Sequence, residues 1–577
     1  MRLFVLVSTG LALLSNLPSA AAQIPITSVY EPPPSSFGRN SSADQWEYLL
    51  GNSLFYYDAQ RSGVLPPDFR VSWRNNSVLN DGKDVGLNLS AGFFDAGNFI
   101  KATLPLSWAM TEIAWTAACY GSAFESASQT AYLDEVLRNG LDWLLEATSI
   151  NNTVVVQVGT NEDNYWGGDQ NIPTDRPSYV VTAQKPGTDV VASTAAALAA
   201  ASMLYSGTTL PISPSRRGSV PSSLKDTTYS QTLLSRAQAL FQFAQTANPQ
   251  QVAQRVDSVL SDSYPSSDWH DKLAFAGAMI ALATGDGNVA NQTLAVYSTL
   301  QMPQIGTALN WDGRAPAVPI VLLQAAAQHP ALNLNTTRFQ SDAEAWFDSF
   351  ADGSPSKGSG MSFTPGGMVM FSGYSSTSSL NPALNAAVAA LLYAGFSTTD
   401  SKKATYRSFA MSQIDYMLGN NPMNAVYVVG QSPNSIENPH SALASGGTNI
   451  NNIDNSPPVE AHVLYGALVG GPNAQDQYYD IRSDYIQSEP ALDIQAPLVA
   501  LTAYQITNSS SGQPFYVTLT APRIQPVPGG SGGGIPQGGK IAIAVVVLVA
   551  VFSLAGGIAY WKRDDLRYWF RHTRMKI

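Results

Sequence analysis

An all-α fold, with twelve helices paired as six hairpins around an (α/α)6 toroid, is what the long middle of this chain predicts. Three observations point there. Between Ala43 and Asn508, apolar residues recur at i, i+3 and i+4 spacing in twelve segments of similar length. Many of these segments are rich in Ala, the strongest helix former. Alternating strand patterns are scarce, and no Pro/Gly/Ser linker divides the stretch, so one large domain is favoured over several.

In order, the predicted helices are Ser42–Asp58, Leu104–Cys119, Tyr132–Ala147, Asp189–Tyr205, Tyr229–Ala247 and Asp271–Thr284. Val289–Leu300, Ala317–Gln328, Asp342–Asp352, Pro382–Ala394, Lys402–Leu418 and Ala491–Ile506 complete the set. Thr153–Val158 and Ala425–Val429 have the composition of short strands, and Pro211–Ser223 that of a long loop. Periodicity sets the helices but leaves the closure of the ring open.

The ends of the chain carry different signals. Met1-Arg2, the apolar run Leu3 to Leu14 and the small residues ending at Ala22 form a secretory signal peptide over residues 1–22, with cleavage before Gln23. The domain then occupies 23–508. Residues 509–540, with Pro522, Pro526, Pro528 and a Gly-rich run, are expected to be a flexible stalk. Residues 541–561 are uncharged and apolar over about 21 positions, about 31 Å as a helix, long enough to span a bilayer. The basic tail 562–577 follows and places the C-terminus in the cytoplasm by the positive-inside rule. The expectation is a single-pass membrane protein, monomeric, with its domain on the extracellular or lumenal side. Seven N-x-S/T triplets, at Asn40, Asn75, Asn88, Asn151, Asn291, Asn335 and Asn508, agree with that route. Cys119 is the only cysteine, so no disulfide can form within the chain.

A net charge of −11 disfavours nucleic acid as a partner. With 13% charged and 10% aromatic residues, the balance suits a neutral, stackable ligand such as a polysaccharide. Two acidic loops stand out. Phe93-Phe94-Asp95-Ala96-Gly97-Asn98 precedes the Leu104 helix, and Asp480, Asp484, Tyr485 and Glu489 lie in a loop that runs into the Ala491 helix. A carboxylic acid packed against aromatic walls holds its proton near neutrality, which a general acid needs. The five histidines show no metal-ligand spacing, so no metal is expected. The G-x-S-x-G match at Gly529 lacks the strand and helix that a serine hydrolase elbow requires.

Taken together, these blocks resemble glycoside hydrolase family 9, the inverting endoglucanases with an (α/α)6 barrel. The resemblance runs from about Trp46 to Tyr504. It includes Phe55-Tyr56-Tyr57-Asp58-Ala59-Gln60-Arg61-Ser62-Gly63, Trp73-Arg74, Leu79-Asn80-Asp81-Gly82-Lys83-Asp84, Trp166-Gly167, Pro186-Gly187-Thr188-Asp189 and Tyr416-Met417-Leu418-Gly419-Asn420-Asn421-Pro422. It implies hydrolysis of internal β-1,4-glucosidic bonds in cellulose or a related β-glucan, with no cofactor required. Glu489 is similar to the family's general acid, Asp95 to the first aspartate of its D-A-G-D motif, and Asp480 to the acidic residue of its second signature. His440 is similar to the motif histidine that contacts sugar hydroxyls, with Trp166, Tyr485 and Asn98 as further substrate-binding residues. A structural calcium is allowed by the resemblance, though no loop declares one.

The departures are specific. Asn98 stands where the family has its usual base; an amide can hydrogen-bond a water but cannot take its proton. Ser441 and Ala442 follow His440 where a histidine and an arginine are usual. Gln495 replaces an asparagine, and Gly373-Tyr374-Ser375 lies where a tryptophan is common. Two alternatives follow: a carbohydrate-binding protein with impaired catalysis, or a hydrolase of another β-glycan.

Overall fold

The computed structural model describes residues 24–33, 45–160, 164–508 and 512–525. The expected leader, the apolar span at 541–561, the basic tail and the triplet at Asn40 lie outside the described residues. Among the described residues are twelve helices of 11 residues or more. They are α1 (Gln45–Ala59), α2 (Thr103–Tyr120), α3 (Thr130–Ala147), α4 (Thr188–Ser206), α5 (Thr227–Thr246) and α6 (His270–Thr284). They continue with α7 (Gly287–Tyr297), α8 (Val318–Gln328), α9 (Thr336–Phe347), α10 (Leu380–Tyr393), α11 (Asp400–Met417) and α12 (Leu492–Asn508).

The even-numbered helices form the inner layer. α2 and α10 are buried at every position and α4 at every position but Ser206. Helices covered on all sides must be apolar all round, and the Ala-rich face of α4 lets its neighbours approach closely. The odd-numbered helices are amphipathic in most cases; α7 buries only Ala290, Thr293 and Tyr297, one stripe at helical spacing. Inner helices touch in the order α2, α4, α6, α8, α10, α12, and α12 packs back against α2. Two indoles of α2 reach across the ring: Trp108 Nε1 donates to Asn385 Oδ1 (3.1 Å) and Trp115 Nε1 to Gln324 Oε1 (2.7 Å). α4 is also the one described helix long and apolar enough to cross a membrane, and its apolar stretch is buried within the domain.

Thr153–Val158 is the central strand of a small antiparallel sheet, between Lys101–Ala102 and Ser178–Thr182. Three expectations are corrected. Ala425–Val429 makes only single bridges at Val426 and Val428, because its other backbone groups serve loop contacts. α9 begins six residues before the predicted Asp342, since Asn335 caps it by accepting the Arg338 N–H (3.1 Å). Residues 512–525 are not free stalk. Tyr516 and Leu519 are buried, Trp46 Nε1 donates to the Gly512 carbonyl (2.6 Å), and the Tyr516 hydroxyl donates to Gln45 O (2.9 Å). Phe515, Tyr516 and Leu519 pack on the domain beside these hydrogen bonds.

Candidate active site

Segments that lead into the inner helices supply the site, so closing the ring brings distant parts of the sequence together. Asp95 precedes α2, Tyr264 precedes α6, Asp312 precedes α8, Tyr374 precedes α10 and Glu489 precedes α12.

The Asp95 loop is a tight turn. The Asp95 N–H donates to Ile100 O (2.9 Å), and the Ile100 N–H reaches Asn98 Oδ1 (3.3 Å). Lys101 ends the turn as an anchor: its buried ammonium donates to the carbonyls of Leu89, Ser90 and Ala91 (2.7–2.9 Å) and pairs with Asp81 (3.1 Å). Asp95 itself is 1% exposed. Its Oδ2 accepts from the Tyr264 hydroxyl, its carbonyl accepts from the Leu492 N–H (3.0 Å), and its Oδ1 has no protein partner.

Glu489 meets this turn at Gly97, whose N–H donates to Glu489 Oε1 (3.0 Å). Gly97 is the closest point of three segments. A Cβ there would lie 2.1 Å from the His440 carbonyl and 2.9 Å from Glu489 Oε1, so only glycine lets them meet. The Gly97 carbonyl in turn accepts from the Ala442 N–H (2.9 Å).

His440 is buried and fixed at both nitrogen positions available to the chain. Its backbone N–H donates to Ser488 O (2.9 Å), and its Nδ1 lies 2.7 Å from the Arg482 carbonyl, so Nδ1 carries a proton and donates it there. Trp166 lies against the His440 ring (4.8 Å, 58°) and is only 4% exposed, so its indole supports His440 and offers little open face. The Tyr485 ring is also near His440 (6.2 Å, 62°) and is about half exposed. Asp480 sits behind the His440 loop. Its carboxylate accepts the N–H groups of Glu437 (3.0 and 3.2 Å) and Asn438 (3.0 Å), and pairs with Arg523. Asp95, Asn98, Glu489 and His440 therefore surround Gly97; Trp166 and Tyr485 flank the histidine; Asp480 holds the loop that carries it.

Burial raises the pKa of Asp95 well above the usual carboxylate range, and the negative charges of Asp493 and Glu489 push it further; the Tyr264 hydrogen bond opposes them. Asp493, one residue into α12, is itself buried and raised from 3.8 to about 6, with Asn381 Nδ2 on its Oδ2. Deeper in the ring, buried Glu112 also has a raised pKa from burial, relieved in part by Arg314, whose guanidinium lies 3.9 Å over the Trp108 ring. Lys272 pairs with Asp312 (2.9 Å) and Asp271 (3.3 Å). Cys119 is inert by contrast, its thiol pushed up to about 12 by burial.

Three aromatic residues escaped the sequence reading. Tyr264 packs edge-on against Trp311 (4.9 Å, 88°), and Trp269 stacks on His270 (3.6 Å, 20°). The one signal for Tyr264 and Trp269 was a cluster of Tyr, Trp, Ser and Pro residues in the segment before α6; Trp311, before α8, had none. The departures also find structural roles. Ser441 caps a short helix, accepting the Ala444 N–H (3.3 Å). Buried Gln495 ties Leu468, Gly466 and Ser53 together through their backbone groups (2.9–3.1 Å). Tyr374 is partly buried, with its hydroxyl raised by burial and by the charge of Asp312. Among the described residues no three His, Cys, Asp or Glu side chains converge as a metal site.

Comparison with known proteins agrees with this fold. The model of glycosyl hydrolase family 9 matches residues 46–502. Endoglucanase A of Bacillus pumilus is 35% identical over 486 residues, covering 82% of this chain and 68% of its own length. The endoglucanase of the termite Nasutitermes takasagoensis superposes with a TM-score of 0.69 at 31% identity, over 80% of this chain and 98% of its own. Endoglucanase CelQ of Clostridium thermocellum, solved with cellotetraose, gives a TM-score of 0.68 at 27% identity, over 84% of this chain and 73% of its own. On the family match and these relatives, the chain belongs to glycosyl hydrolase family 9 and is a glycoside hydrolase of the endoglucanase type.

Proposed function

We propose that the domain cuts internal β-1,4-glucosidic bonds by single displacement with inversion, with Glu489 as general acid and Asp95 as general base. The observation that carries this assignment is the state of Asp95: one carboxylate oxygen is held by Tyr264, and the other, Oδ1, is buried without a protein partner beside the turn that Glu489 grips. In the reaction Glu489 gives its proton to the glycosidic oxygen as the bond from the anomeric carbon breaks. A water adds to that carbon from the opposite face, and Asp95 Oδ1 takes the proton the water loses. The proton then leaves Asp95 to solvent, and Glu489 takes one back. Asn98 can hold the water by hydrogen bonding, and His440 Nε2 hydrogen-bonds a sugar hydroxyl. The cellotetraose bound to CelQ supports a β-1,4-glucan as substrate. Purified protein on a soluble β-1,4-glucan is expected to release reducing ends, and Glu489→Gln to lower that rate on the order of 10²–10⁴-fold. An unchanged rate in Glu489→Gln would remove the acid assignment.

The same reading includes a secretory route and a single C-terminal membrane anchor, with the domain extracellular or lumenal and the chain monomeric. Five glycosylation triplets fall wholly on described residues, and their asparagines, like Asn508, are exposed, which supports that route. Carbonate extraction of membranes with and without residues 541–577 tests the anchor: the full chain is expected to stay with the membrane, and its release would contradict it.

A further inference from the structure

We propose that Arg523, on the segment 512–525 beyond the family-matched region, is a positioning residue for the reaction: through Asp480 it fixes the loop that presents His440 to the substrate. The inference rests on the reading of His440 as a sugar contact.

The path is short and made of direct contacts. Arg523 Nη1 pairs with Asp480 Oδ2, and both side chains are nearly buried, at 9% and 7% exposure. Asp480 accepts the N–H groups of Glu437 and Asn438 with both of its oxygens. Two residues on, His440 is bound to Arg482 and Ser488, which lie on the same segment as Asp480. That segment ends at Glu489, so one stretch of chain carries the acid and the supports of the histidine. Asp480 also holds a left-handed backbone (φ 49°), which costs a non-glycine residue energy and persists only where contacts enforce it.

The guanidinium is placed as carefully as the carboxylate. On either side of Arg523 the backbone is tied to the domain: Asn434 Nδ2 donates to Ala521 O (2.8 Å), and the Ile524 N–H donates to Met423 O (2.8 Å). The second contact of the guanidinium, to Glu437 Oε1 at 3.5 Å, involves a side chain that is 74% exposed and adds little. The Asp480 pair is different. Removing one partner of a nearly buried ion pair leaves the other charge uncompensated. Asp480 would then draw in water or turn away, and either change weakens its hold on the Glu437 and Asn438 N–H groups. The His440 ring would lose its fixed position while Asp95 and Glu489 keep theirs.

The test uses the full chain, as wild type, Arg523→Ala, Arg523→Lys, His440→Ala and the double variant Arg523→Ala/His440→Ala. Steady-state kinetics on a soluble β-1,4-gluco-oligosaccharide are measured beside thermal unfolding. Arg523→Ala is expected to raise KM by roughly five- to twentyfold with kcat within about twofold of wild type, since a displaced binding group weakens substrate contact without touching the acid or base. Arg523→Lys restores a charge to the carboxylate and is expected to return KM to within about threefold. In the His440→Ala background, Arg523→Ala is expected to change KM no further, because coupled residues are non-additive. An Arg523→Ala enzyme with wild-type KM overturns the inference, as does full additivity with His440→Ala. A wild type inactive on β-1,4-gluco-oligosaccharides would instead defeat the reading of the site itself.

Discussion

Tyr264 and Asp493 act on the proton of Asp95 in opposite directions, and a single substitution removes either one. The Tyr264 hydroxyl stabilises the ionised carboxylate; the charge of Asp493 works against it. The acidic limb of kcat/KM against pH follows ionisation of the base in the free enzyme. Tyr264→Phe is therefore expected to move that limb to higher pH and Asp493→Asn to lower pH, as measured by initial rates across pH 4 to 8. Asp493 has a further effect on stability. Its pKa is raised in the folded state, from 3.8 to about 6, so the folded chain holds a proton that the unfolded chain releases. Its contribution is thus most favourable below about pH 4 and is lost as pH rises through about 6, by at most about 3 kcal/mol. Relative to wild type, Asp493→Asn is expected to gain stability across that window in denaturant melts. Asp95 and Glu489 were legible in the sequence because each lies in a motif. Tyr264 was not, because its partner is 169 residues away and nothing local marks the pairing.

At the scale of elements, the turn Asp95–Lys101 and the segment 480–489 are joined through one glycine. Gly97→Ala would drive a methyl group into the His440 carbonyl and towards the Glu489 carboxylate. Overpacking of this kind costs about 1–3 kcal/mol, and a shift of about 1 Å in the acid costs on the order of 10² in rate. The expected result is a lower melting temperature together with a loss of kcat; an active, equally stable Gly97→Ala would show that the two segments do not meet there. Eleven of the twelve helices fall close to their sequence-based ranges, because full or one-sided burial writes itself into the periodicity. α9 was displaced because its cap, Asn335, lies outside the apolar pattern. Residues 512–525 were hidden by composition: their prolines and threonines resemble a linker, while docking depends on Phe515, Tyr516 and Leu519 finding a surface built far earlier in the chain, as at Gln431, 85 residues before Tyr516.

Across the whole molecule, ring closure is what turns these elements into a site. α12 returns to α2 and sets Glu489 against a glycine 392 residues earlier in the chain. No local pattern carries that closure, which is why composition and periodicity marked the two acidic loops while only the family resemblance implied that they meet. The same closure buries Asp95 and leaves its Oδ1 as the unpartnered oxygen beside the turn that carries Asn98. The most direct measurement is the initial rate of reducing-end release from a soluble β-1,4-glucan by wild type and by Asp95→Asn, at the pH optimum of the wild type. If Asp95 is the base, the substitution lowers the rate on the order of 10²–10⁴-fold while the fold is retained. A folded Asp95→Asn enzyme that turns over at the wild-type rate would contradict the account.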